Sequence, residues 1–93
     1  MQETKTIIID DSYVQKIERL QYEVESRKDV ISQVLAGSIT VVGELFDRYQ
    51  KEYMDFYIQY QRAKNEMLRA YSINTSNPWK LDFSTHELEM EED

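Results

Sequence analysis

The feature that most constrains this chain is one apolar seam. Ile39, Val42, Phe46, Tyr49, Tyr53, Phe56, Tyr60, Ala63, Met67 and Ala70 follow one another in alternating three- and four-residue steps. Such a row stays on one side of an α-helix over about four heptads and needs a facing apolar surface along its length. A helix spanning about 38–72 is therefore expected. Its partner lies upstream, where Ile17, Leu20, Val24, Ile31 and Val34 repeat the spacing and Arg27 takes one core-facing slot. Ser12, with Gln15 three positions later, has the form of a capping box, so helix one is read as 12–36. Gly37 provides the left-handed residue that closes a helix, and Ser38 or Thr40 can cap the next. A link that short folds consecutive helices back antiparallel.

The ends read differently. Thr4 to Asp10 is short and β-branched, a strand profile ending at the acidic pair Asp10 and Asp11. Ser72 to Pro78 has loop composition. Trp79, Leu81 and Phe83 then alternate with Lys80 and Asp82, and Leu88 and Met90 alternate with glutamates. A hairpin of 79–83 with 86–90 is expected, with the isoleucine strand pairing onto it. The fold class is mainly α: one domain, 1–93, with an N-terminal strand in 1–11, a helical hairpin in 12–72, and loop, short strands and acidic tail in 73–93. At 1.5 Å per residue helix two would be the longer by roughly 15 Å. The start of helix one then falls beside Arg62, and the segment from Ala63 to Tyr71 overhangs.

Composition removes several functions. The chain has no cysteine and a single histidine, so disulfides, thiolate chemistry and paired-histidine metal sites lack material. His86 beside Glu87 and Glu89 reads as a solvated turn residue, and Asp10 with Asp11 as a strand-to-helix turn, rather than as metal ligands. Gly37 and Gly43 are the two glycines, too few for a phosphate loop. No catalytic residue, cofactor or metal is expected, and the chain reads as a non-enzyme. The net charge of −7 belongs to the ends, because residues 12–36 carry four basic and four acidic side chains and residues 38–72 five of each. Without a basic stripe neither direct nucleic-acid binding nor membrane docking is expected. Met1 to Asp11 has neither a basic start nor a small-residue cleavage site, and no stretch approaches the roughly 20 apolar residues of a membrane span. The expected location is cytoplasmic, or within a virion.

What remains is association. Seven tyrosines are many for 93 residues, and Tyr49, Tyr53 and Tyr60 belong to the seam. Leu45, Met54, Tyr57, Ile58 and Leu68 lie off it and form the candidate partner-binding residues, since one helix–helix contact leaves them uncovered. A protein partner or a homodimer is expected. Arg27 is placed to pair across the hairpin with Glu52 or Asp47. The pairs Glu23 with Arg27, Glu44 with Arg48 and Asp47 with Lys51 read as ordinary helix surface.

The run from Ile7 to Ser12, the stretch Glu25-Ser26-Arg27-Lys28, the long aromatic helix and Trp79-Lys80-Leu81-Asp82-Phe83-Ser84-Thr85 occur in an order that resembles the small proteins of CXXX-repeat peptide modification systems. The resemblance implies an accessory protein of a peptide-maturation enzyme, with no functional residue carried over. The alternative is a phage or mobile-element protein. That would be a virion structural component, or an acidic inhibitor of a nucleic-acid enzyme that uses Glu87 to Asp93.

Overall fold

The computed structural model of the chain describes residues 3–37, 40, 43–73 and 75–92. The elements are β1 (Glu3–Ile8), α1 (Asp11–Leu35), α2 (Gly43–Ala70), β2 (Trp79–Asp82) and β3 (Glu87–Glu92). The chain is mainly α, two helices with a small antiparallel sheet. It resolves into two compact units, one of Met1–Glu18 with Ala63–Asp93 and one of Arg19–Arg62, so each helix contributes to both.

In the first unit the sheet has the order β1-β3-β2, both pairings antiparallel. β1 meets β3 in the register Ile7 to Leu88, and β2 meets it with Trp79 opposite Met90 and Asp82 opposite Glu87. The β2–β3 turn is held by Asp82. Its Oδ1 accepts from Ser84 N at 2.9 Å and Ser84 Oγ at 2.6 Å, which lets the chain reverse, with His86 at φ +61°. Ile9, Val14, Ile17, Ala63, Met67, Leu68, Ile73, Leu88 and Met90 are buried in this unit.

Three details of the helix ends depart from the sequence reading. Asp10, not Ser12, caps α1: its Oδ1 accepts from Ser12 N at 2.9 Å and from Ser12 Oγ at 2.7 Å, while Gln15 Nε2 donates to Asp11 Oδ2. An ionised carboxylate is a stronger acceptor for the positive helix end than a hydroxyl, so the earlier residue wins. The two hydrogen bonds from Ser12 hold the Asp10 carboxyl below its ordinary range. At the other end of α1 Gly37 has φ +78° and closes the helix as expected, with its N–H donating to Val34 O.

The second departure is the start of α2, at Gly43 rather than 38. Thr40 is outside any helix, and the expected positions Ser38, Ile39 and Val42 lie outside the described residues. A later start moves every facing pair along α2. Asp10 N therefore donates to Tyr71 Oη at 2.7 Å, Tyr13 and Tyr71 meet edge to face at 5.9 Å, and Lys16 Nζ lies 3.5 Å from Glu66. The start of α1 sits beside Tyr71 instead of Arg62, so the expected overhang is absent.

The third is the end of α2, which is a Schellman motif built on serine. Ile73 N donates to Leu68 O, Ser72 N donates to Arg69 O, and Ser72 takes φ +54°. The motif folds Ile73 back toward the turn of Leu68, and both are buried.

Candidate protein-interaction surface

The second unit holds the helices in antiparallel array, seen in the contacts of Arg27. From α1 its Nη1 donates to Glu23 Oε2 at 2.6 Å and to Glu23 O at 3.2 Å, while Nε donates to Glu52 Oε2 on α2 at 3.1 Å. The guanidinium carbon lies 4.3 Å from the Phe56 ring centroid. Partial desolvation works against the charge, but Glu23 and Glu52 outweigh it and hold the Arg27 pKa above its ordinary value. Of the two cross-helix partners expected for Arg27, Glu52 is the one it meets. Further along, burial and the nearby Glu25 raise the Tyr60 hydroxyl pKa.

On the flank of α2 away from this node, Met54, Tyr57 and Ile58 follow at i, i+3 and i+4 and are 51, 40 and 43% exposed. Tyr57 is backed by Tyr53, whose ring stacks at 6.1 Å and 29°. Beside the stripe a shallow groove of about 400 Å³ runs between the helices, lined by Lys28, Ile31 and Ser32 from α1 and Gln50, Tyr53 and Met54 from α2. Its other flank is charged, with Asp47, Lys51 and Asp55 around Met54.

Two of the five expected partner residues leave this surface. Leu68 is buried, 6% exposed, because the Schellman turn covers it with the segment around Ile73. Leu45 is half-buried, and it precedes Met54 by about two and a half turns, which directs it to the opposite side of α2. Met54, Tyr57 and Ile58 stay together. By its spacing Tyr53 belongs to the seam. It borders the stripe because a side chain on a seam's edge serves both faces, which its position one residue before Met54 could have signalled.

The arrangement offers apolar and aromatic area beside a charged rim. Among the described residues no group of three His, Asp or Glu side chains is placed to hold a metal ion. No helix among them is long and apolar enough to cross a membrane. Comparison with protein-family models, with curated proteins and with solved structures found no match.

Proposed function

We propose that the chain is a non-enzymatic protein–protein interaction module, an adaptor or accessory subunit, that associates through the α2 stripe centred on Tyr57. The observation that carries the reading is the exposure of Met54, Tyr57 and Ile58 as one contiguous face on a helix whose other side is occupied by α1. Methionine and tyrosine are favoured interface anchors, since they bring large contact area and, for a stacked tyrosine, little rotamer entropy to lose. The partner assigned to the stripe is a second copy of the chain, because a two-fold contact lets one patch cover itself. Two hairpins meeting this way form a four-helix bundle. The resemblance to CXXX-repeat accessory proteins extends the proposal to a helper of a peptide-modifying enzyme.

Sedimentation tests it. Wild-type protein at about 100 μM, well above a micromolar Kd, should sediment as a dimer. Tyr57→Lys with Ile58→Lys should give a folded monomer, because two ammonium groups resist burial. A monomeric wild type removes self-association, and if the stripe then retains no foreign protein either, the module reading fails.

A further inference from the structure

The second surface lies in the other unit, at the outer edge of β1. Ile9 N donates to His86 O, which fixes the phase of the β1–β3 ladder: the peptide groups of Lys5, Ile7 and Ile9 point toward β3, and those of Thr4, Thr6 and Ile8 point away from it. Among the described elements β1 pairs with β3 alone. Three donors and three acceptors therefore stand in a row on a six-residue, β-branched, proline-free strand. Such an edge is a template for another strand. The opposite edge is not equivalent, since β2 has four residues and follows Pro78.

The sheet face above this edge selects what can bind. Cross-strand partners share a face, so Thr4 with Glu91, Thr6 with Glu89 and Ile8 with Glu87 lie on one side. The other side carries the buried Leu88 and Met90. On the outward face Glu87, Glu89 and Glu91 are joined by Asp82 and opposed by Lys80, across from Glu89. The β1 residues between these glutamates and the open edge are small at Thr4 and Thr6. Ile8, 63% exposed, adds an apolar contact at one end. A strand added to β1 would lie two strand spacings from β3, roughly 10 Å. A lysine or arginine on its outward face reaches across a threonine over that distance to a glutamate.

We infer that the outer edge of β1 docks an extended peptide segment carrying basic side chains at alternate positions. The backbone ladder to Thr4, Thr6 and Ile8 supplies affinity and direction, and Glu89 and Glu91 select for the basic residues. This surface is separate from the α2 stripe. Loss of one leaves the other standing.

The probe is a capped synthetic peptide alternating lysine and valine, titrated into the full chain and followed by amide NMR shifts. The expected result is saturable binding that perturbs Thr4, Thr6 and Ile8 and survives Tyr57→Lys with Ile58→Lys. Thr6→Pro removes an outward N–H without touching the β3 ladder and should weaken binding at least about tenfold. Glu89→Gln with Glu91→Gln should weaken it by about tenfold while leaving a neutral threonine–valine peptide unaffected. Where Thr6→Pro disturbs the sheet, a peptide N-methylated at alternate residues gives the same information on wild-type protein, and its undiminished binding overturns the proposal. The proposal also falls if a peptide with all lysines in one block binds equally well, which would be diffuse charge attraction. It falls too if wild type shows no shift at Thr4, Thr6 and Ile8. Concentration-dependent shifts at those residues without peptide would assign the edge to a second copy of β1 and overturn it likewise.

Discussion

The two units solve burial in opposite ways. Among the described residues, nine of the eleven buried apolar side chains belong to the unit of Met1–Glu18 and Ala63–Asp93, whereas the helical unit Arg19–Arg62 contributes Leu20 and Val24. The exposed large apolar residues among those described are distributed the other way: Tyr22, Leu35, Met54, Tyr57 and Ile58 in the helical unit against Ile8 in the other. A sheet with one buried face encloses side chains from two sides, while two helices alone enclose only the line between them. Enclosed apolar packing is therefore concentrated in the unit that contains the sheet. The helical unit leaves large apolar side chains exposed.

The largest effect should come from cutting into the enclosed core. Met67→Ala, at a fully buried site, should cost about 2–5 kcal/mol in urea unfolding. Met54→Ala, the same chemistry on the open stripe, should stay within about 0.5 kcal/mol for the monomer. Equal costs would break the comparison. Next in size is Arg27→Met, which takes the guanidinium off the Phe56 ring and leaves Glu23 and Glu52 without their shared cation. A loss of about 1 kcal/mol is expected, because these groups are partly exposed and water screens them. Amide exchange should locate that loss within residues 19–62, and a loss exceeding that of Met67→Ala would mean that the helical unit rests on its ion cluster instead of its packing.

The smallest effect concerns acid. The Asp10 and Asp82 carboxyls sit below their ordinary range through hydrogen bonds from Ser12 and Ser84 respectively, so the folded state binds protons less readily than the unfolded one. Their contribution is complete above the ordinary carboxylate pKa, about 4, and is lost as pH falls through the lower folded values. Circular dichroism melts across this range should show the decline, and Asp10→Asn, which keeps a capping oxygen but cannot titrate, should flatten part of it. An unchanged pH profile in the variant would remove Asp10 from the account.

Much of the fold was legible because it rests on periodicity and on single residues with strong backbone preferences. Gly37 closes α1, the alternation around Trp79 and Leu88 forms the hairpin, and the isoleucine strand joins β3, as their patterns imply. The caps were less legible. Ser12 and Asp10 are both good capping residues, and choosing between them depends on which backbone N–H each oxygen reaches. Ser72 in a left-handed conformation gives no sign in a sequence where glycine would be expected, and this hid the turn that buries Leu68. Leu45 was a matter of arithmetic, since its spacing from Met54 already places it on the far side of a helix.

By itself the sequence determined two long helices, three short strands, the seam between the helices and the location of the surplus acid at the chain ends. These follow from local preference and from the 3.6- and 2-residue periods, which need no knowledge of neighbours. Tertiary structure alone decided which off-seam apolar residues stay uncovered, which glutamate Arg27 reaches, and which face of the sheet gathers Glu87, Glu89 and Glu91. Each of these depends on register, and register is set by where a helix starts and how a strand pairs. A shift of a few residues there leaves every local pattern intact while exchanging the residues that meet.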